Sequence, residues 1–196
     1  MLSRLRKSRD GAAAIEFAIL AMPYFLIIFA IIETFVAFMG EQLVVNATDT
    51  MARKVRTGQI TSGLGLTSNM SKEQFKQAFC DEVSILITCS PQEVYKSQKL
   101  YIDLRTFSTF KDIPANLALK KVGEYYDLDE SQMGYTPGGP GTINMLRVYY
   151  RWQVFTDLIR PYITKVRPVD GSMPSHFLIV GTGAFQNEPY PTGSGS

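Results

Sequence analysis

Residues 17–39 read FAILAMPYFLIIFAIIETFVAFM, and only Pro23 and Glu33 interrupt this apolar stretch. At about 1.5 Å per helical residue, its length matches the roughly 30 Å hydrocarbon core of a bilayer. A cleaved secretory signal has a shorter apolar region of about 7–15 residues, followed by a small-residue cleavage site that this sequence lacks. The stretch therefore predicts one transmembrane helix that stays with the mature chain and is kinked at Pro23.

Basic residues on either side of this stretch favour one orientation. Lys and Arg close to a span remain on the cytoplasmic side. Those directly before the stretch are Arg4, Arg6, Lys7 and Arg9, and those well beyond its end are Arg53, Lys54 and Arg56. We therefore expect a cytoplasmic N-terminus and an exported C-terminal domain.

The composition limits the remaining possibilities. The chain has 196 residues, so removal of the helix leaves about 140–150, which is enough for one ordinary domain. The net charge of +2 is too balanced to indicate a nucleic-acid partner. Cys80 and Cys89 are predicted to form a disulfide if the domain is exported, and free thiols in a core are the alternative. Two Cys residues and one distant His176 do not make a four-ligand metal site, so we expect no metal.

Helical periodicity continues beyond the membrane stretch. Apolar residues recur every four positions, which predicts that the first helix runs to about Thr57; they are Leu43, Ala47, Met51 and Val55. A segment rich in turn-forming residues begins at Gly58. A second helix is predicted to begin at Ser71, which forms a capping box with Gln74, and to stop before Cys89. A short helix is predicted over Pro114–Lys121.

Three segments show strand patterns. Leu100–Leu104 and Leu146–Val154 alternate between apolar and polar residues, whereas Phe177–Val180 is apolar on both faces, as in a central strand. The intervening SQMGYTPGGPGT, residues 131–142, predicts an irregular loop, and residues 187–196 predict a disordered tail. The expected fold class is therefore α+β: a long N-terminal transmembrane and stalk helix, followed by a domain with a small antiparallel sheet.

No residue pattern in the chain indicates catalysis. The sequence contains no nucleophile elbow, P-loop or HExxH motif. Gly181-Thr182-Gly183 lacks the third glycine of a dinucleotide site, and a bulge or a close backbone approach is the expected explanation. We expect a structural or exposed role for His176. The chain is therefore predicted to have no enzymatic activity, cofactor or small-molecule substrate.

Glu16 is the most informative polar residue. A carboxylate inside a membrane costs about 2.5–3.5 kcal/mol at the bilayer centre on insertion scales. One interpretation places Glu16 in the hydrated headgroup region. In the other, a protease cuts after Gly11, and Glu16 of one chain pairs with the new Ala12 ammonium of its neighbour. The small residues at 12–14 would then allow close helix packing.

Gly11-Ala-Ala-Ala-Ile-Glu16-Phe17 resembles the class III signal peptide of type IV pilin-like proteins. More narrowly, it is similar to the TadE-like family of the tight-adherence (Flp) pilus system. In that family, glycine precedes the cut and Glu-Phe occupies the fifth and sixth mature positions. The cysteine pair ahead of a strand and Asn187-Glu188-Pro189 also match. A TadF-like role remains open.

The resemblance implies a division of the chain and a function. Residues 1–11 would be a leader removed by a prepilin peptidase, 12–57 the transmembrane and stalk helix, and 58–196 a periplasmic pilin-like domain. The processing-site residues would be Gly11, Ala12, Glu16 and Phe17. The product would be a minor pseudopilin in the inner membrane that initiates, primes or caps a pilus. Its implied partners are other pilins and the assembly machinery.

Two alternatives to this function remain open. One is an uncleaved single-pass membrane protein with a periplasmic binding or sensing domain. The other is a membrane-anchored enzyme, which no group of residues in the sequence supports.

Overall fold

The long N-terminal helix shares residues with the domain that follows it. The structure, a computed structural model, describes residues 9–154, 160 and 164–192, with side chains from Ala13 onward. Helix α1 spans Arg9–Arg56, and the chain divides into two compact units between Phe38 and Met39. The second unit thus begins within the helix, whereas the sequence predicted a domain that begins only at residue 58. The reason is that the last turns of α1 belong to the domain core.

The described part of the second unit contains two further helices and six strands. Their bounds are Lys72–Val83 (α2), Pro91–Tyr95 (α3), Leu100–Phe107 (β1), Leu119–Val122 (β2), Tyr125–Leu128 (β3), Tyr135–Thr136 (β4), Ile143–Trp152 (β5) and Phe177–Gln186 (β6). Short 3-10 turns occupy Phe110–Asp112 and Glu130–Gln132. The main sheet has the order β4-β1-β5-β6, while β2 and β3 form a separate hairpin.

Most strands of the main sheet pair in an antiparallel arrangement. β1 and β5 are antiparallel, with Leu100 opposite Tyr150, and β5 and β6 are antiparallel, with Trp152 opposite Phe177. The two-residue β4 pairs with β1 in parallel. The predicted α+β class with a small, largely antiparallel sheet is therefore confirmed.

One face of the sheet packs against α1 and α2. The core on this face contains Leu100, Ile102, Leu104, Leu146, Val148 and Ile179 from the strands, and Val44, Ala47, Met51, Ala52, Val55, Phe75, Phe79 and Val83 from the helices. The predicted stripe on α1 is thus confirmed at Ala47, Met51 and Val55, while Leu43 is only half-buried. Fully burying one such aliphatic side chain contributes about 1.5–3 kcal/mol.

Two glycines of β6 allow this strand to approach α1 closely. A Cβ on Gly181 would lie 2.3 Å from Thr48 Oγ1, and one on Gly183 would lie 3.2 Å from the Ala52 Cβ. The expectation of a close backbone approach at Gly181-Thr182-Gly183 is confirmed. These glycines are therefore packing residues between a helix and a strand.

Helix α2 begins where the sequence predicted, directly after Ser71, and it ends at Val83. Gln74 N–H donates to Ser71 Oγ at 3.3 Å, and Ser71 N–H donates to Gln74 Oε1 at 2.8 Å, so the capping box is confirmed. The helix ends at Val83 because Ser84 N–H bonds the Asp81 carbonyl at 3.4 Å, a shorter-range bond that closes the last turn. The helix thus stops before Cys89, as predicted, and Leu86 and Ile87, which keep helical spacing in the sequence, lie beyond its end.

A disulfide links the last turn of α2 to the segment before α3. Cys80 and Cys89 are bonded, with their Cα atoms 5.9 Å apart. The predicted pairing is confirmed, and no described cysteine is free.

The predicted short helix over Pro114–Lys121 is wrong. Two backbone carbonyls of this segment accept hydrogen bonds from a residue distant in sequence. The Arg147 guanidinium donates to the Pro114 carbonyl at 2.9 Å and to the Asn116 carbonyl at 2.8 Å. A helix would need those carbonyls for its own ladder. The segment instead leads into β2, and Gly123, at φ 61°, forms the turn to β3.

β6 is an edge strand of the described sheet, although its apolar sequence predicted a central one. One face of β6 packs on α1, and Leu178 and Val180 on the other face pack against a second cluster. That cluster comprises Tyr101, Ala118, Leu128 and Tyr149. Both faces are therefore covered even though one edge of the strand is not paired with a described strand. Within the predicted irregular loop 131–142, β4 adds two paired residues.

The structure also differs from the expected tail at residues 187–190. Asn187 is buried, and its Nδ2 donates to the carbonyls of Gly138 at 2.8 Å and Gly139 at 3.0 Å. Glu188 N–H donates to the last carbonyl of α1, that of Arg56, at 2.9 Å. The start of this segment is thus fixed to the domain, and residues 193–196 lie outside the described residues.

Gly181→Ala should destabilise the domain by about 1–3 kcal/mol, because the added methyl group overlaps Thr48. Urea unfolding of the full chain in detergent, followed by circular dichroism, measures this loss. Gly139→Ala is the matched control and should change the free energy of unfolding by less than about 0.5 kcal/mol, since a Cβ at Gly139 would lie 3.8 Å from Leu64 Cδ2, an ordinary van der Waals distance. In a Thr48→Ala background the Gly181→Ala loss should shrink. An equal loss in both backgrounds would contradict the contact.

Candidate functional site

The first unit is an apolar helix whose side chains face outward. Its exposed fractions include 71% for Phe17, 80% for Met22 and 64% for Phe29. Among the described residues there is one helical segment, Ala13–Arg56, long and apolar enough to cross a membrane, and its most apolar window is not buried at all. Exposed apolar patches on soluble proteins are much smaller than this surface. The helix therefore makes the chain a candidate single-pass membrane protein.

The predicted processing residues lie on this helix. The backbone from Gly11 to Phe17 is helical, and the side chains of Glu16 and Phe17 are exposed. Their exposure leaves the Glu16 carboxylate accessible to a group on another chain. The side chains of Gly11 and Ala12, and the whole of residues 1–8, lie outside the described residues, so the proposed cleavage site has no described side-chain geometry.

Pro23 and Glu33 are the two interruptions of the apolar stretch. α1 runs through Pro23 as one helix. Glu33 is half-buried and interacts with its surroundings, and next to it Thr34 donates its hydroxyl to the Ala30 carbonyl at 2.8 Å. Glu16, which directly precedes the stretch, is therefore more exposed than Glu33.

A second polar region lies on the sheet face away from α1. A cleft of about 510 Å³ is lined in part by Tyr101, Asp127 and Arg151. Arg151 Nη2 donates to Asp127 Oδ1 at 2.8 Å, and its guanidinium lies 5.0 Å from the centre of the Tyr101 ring. Asp127 also accepts the N–H groups of Leu128 at 2.7 Å and Val169 at 3.0 Å.

The charges in this cleft hold the fold together. The Asp127 carboxylate accepts hydrogen bonds from β3, from Arg151 on β5 and from the segment around Val169. Its oxygens therefore hold these parts of the fold together. Burial raises the pKa of Tyr101 to about 12, which keeps its hydroxyl protonated at neutral pH. The sequence analysis did not anticipate this cluster. Arg147 and Arg151 lie on the same face of β5, and their positions in the sequence indicate a buried charge cluster only if that face is known to be covered.

His176 is buried beside the same cluster. Burial, followed by the nearby Arg151 charge, lowers its pKa to about 4. The imidazole is therefore neutral at physiological pH, and Thr164 donates its hydroxyl to the His176 carbonyl. The structure thus places His176 in the interior, which agrees with a structural role.

The described residues offer no candidate for metal chemistry. Within residues 9–154, 160 and 164–192, no group of three or more His, Cys, Asp or Glu side chains could hold a metal ion. The cysteines are used by the disulfide. The apolar helix with Glu16 near its start is therefore the leading candidate for the functional site.

Comparison with known proteins identifies the same part of the chain. No curated protein and no solved structure matches it. A family model described as "TadE-like protein" matches residues 11–53. The match begins at Gly11, covers Glu16 and Phe17, and extends through the apolar stretch into the buried part of α1. Residues 11–53 therefore carry the TadE-like family pattern that the sequence resemblance implied.

Proposed function

We propose that this chain is a minor pseudopilin of a Tad/Flp-type pilus, which acts in initiation, priming or capping of the fibre. The observation that carries the proposal is the accessible Glu16 carboxylate on an exposed apolar helix, within a segment that matches the TadE-like family. The role is structural, and the chain is not an enzyme. Its partners are other pilins or pseudopilins and the assembly machinery.

In the proposed pathway the chain begins as an inner-membrane precursor. Residues 1–11 form the cytoplasmic leader, and the second unit lies in the periplasm, where a disulfide between Cys80 and Cys89 is stable. A prepilin peptidase cuts after Gly11, which leaves a free ammonium on Ala12. The outward-facing apolar side chains of α1 contact lipid before assembly and neighbouring helices after it.

The Glu16 carboxylate then determines how chains pack. A carboxylate and an ammonium in an apolar helical bundle lose hydration, and pairing between neighbouring chains offsets that loss. Because each group occupies a fixed position on its helix, the pair also sets the axial register between neighbours. Ala13 and Ala14 are small, so they permit the approach that this pair requires.

The mature chain should begin at Ala12. Intact-mass measurement of protein extracted from pilus-producing cells should show the loss of residues 1–11. Gly11→Trp should retain the leader, because a bulky side chain blocks the site, whereas Gly11→Ala is the matched control with a small side chain and should still be cut. Met1 retained in the wild-type protein would contradict the proposal and favour the uncleaved single-pass alternative.

Glu16→Gln should be inserted and cleaved normally yet fail in assembly. The change leaves the neighbour's ammonium unpaired in an apolar bundle, at a cost of about 3–5 kcal/mol. Pilus counts by electron microscopy, with intact mass as the check on cleavage, measure the two effects separately. Glu33→Gln makes the same chemical change about 25 Å further along the helix, beyond reach of Ala12, and should leave pilus number close to wild type. Normal pilus number in Glu16→Gln would instead favour a carboxylate in the hydrated headgroup region.

A further inference from the structure

The apolar stretch ends where the second unit begins. Phe38 and Met39 are 57% and 48% exposed, and the next residue, Gly40, is the first buried residue on α1 among those whose side chains are described. Gly40 directly follows Met39, the last residue of the apolar stretch, in the same helix. Whatever the tilt of α1, Gly40 is one helical step of about 1.5 Å from the end of the stretch.

Gly40 is buried because the Trp152 ring covers it. A Cβ at Gly40 would lie 2.6 Å from Trp152 Cζ3 and 3.0 Å from Cε3, so only glycine leaves room for the ring at this distance. Trp152 is the last residue of β5 and pairs with Phe177 at the start of β6. The ring is thus fixed by the sheet on one side and by the helix on the other.

Trp152 is half-buried and has aromatic neighbours. Its ring centre lies 6.3 Å from that of Tyr150, and Phe177 is also half-buried. Tryptophan concentrates at membrane–water interfaces, because its ring is apolar while its indole N–H requires a polar partner. Trp152 is half-buried and lies against Gly40, next to the end of the apolar stretch, where a membrane–water interface is expected.

We propose that Trp152 is a membrane-contact residue of the second unit, with its indole in the headgroup region of the bilayer that α1 crosses. The occupant of this surface is lipid, because Trp152 covers Gly40, and Gly40 is the residue that follows the apolar stretch. The proposal requires α1 to span a membrane, but it does not depend on cleavage after Gly11 or on a role in a pilus. It also gives Gly40 a function, which is to bring the ring onto the helix at the bilayer surface.

The single tryptophan of the chain makes this proposal directly measurable, because all tryptophan emission comes from residue 152. The full chain is reconstituted into phosphatidylcholine vesicles that contain a doxyl quencher either near the headgroup or near the bilayer centre. We expect the shallow label to quench the emission about two- to threefold more than the deep label, because the indole is interfacial. Aqueous acrylamide should quench the vesicle-bound protein only weakly.

A second position supplies the matched control. Gln59 is exposed and follows the end of α1, and the helix rises about 24 Å between Gly40 and Arg56. In a Trp152→Phe background, which keeps an aromatic ring over Gly40, Gln59→Trp should respond to acrylamide and not to either lipid label. Emission of Trp152 that neither lipid label quenches would overturn the proposal, whether or not acrylamide quenches it. Stronger quenching of Trp152 by the deep label would overturn the interfacial position.

Discussion

The packing of the last turns of α1 against the sheet is the contact on which the rest of the second unit depends. Val44, Met51 and Val55 are fully buried, and they belong to the same core as the strand residues Leu100, Ile102, Leu146 and Val148 and the apolar residues of α2. Truncation of a buried methionine such as Met51 to alanine typically lowers the free energy of unfolding by about 2–5 kcal/mol. This is a large share of the roughly 5–15 kcal/mol by which a folded domain is stable. The part of α1 that lies beyond the apolar stretch is therefore indispensable to the fold of the second unit.

Several features follow from this shared helix. Gly181 and Gly183 let β6 approach α1 closely, and Glu188 binds the last helical carbonyl at Arg56. The chain between Gln186 and Tyr190 is thereby fixed to the end of the helix. All of these contacts lie within the second unit, between the end of α1 and the C-terminal part of the chain.

The features that the sequence predicted correctly depend on neighbours close in the chain. The apolar stretch, the stripe through Ala47 and Met51, and the Ser71 capping box are local patterns with a fixed period or spacing. The short motif around Gly11 and Glu16 is also local, and the TadE-like family model covers it, while the processing role of these residues stays a prediction. The strand patterns of β1 and β5 were visible for the same reason, since alternation needs only consecutive residues.

The wrong predictions concern groups whose partners are distant in sequence. The carbonyls of Pro114 and Asn116 bond Arg147, so a segment with helical residues is not a helix. The Asn187 amide bonds loop carbonyls at residues 138 and 139, so a polar C-terminal segment is ordered. Likewise, the arginines of β5 look like solvent-facing residues until a second layer is known to cover that face.

Amide hydrogen exchange of the full chain in detergent micelles, read by mass spectrometry of peptic fragments, tests the central claim most directly. If residues 43–56 are core residues of the domain, their amides should exchange as slowly as those of β5 and should lose protection together with β5 as urea is added. Protection of residues 43–56 that persists after β5 has unfolded, or that is absent while β5 remains protected, would contradict the account.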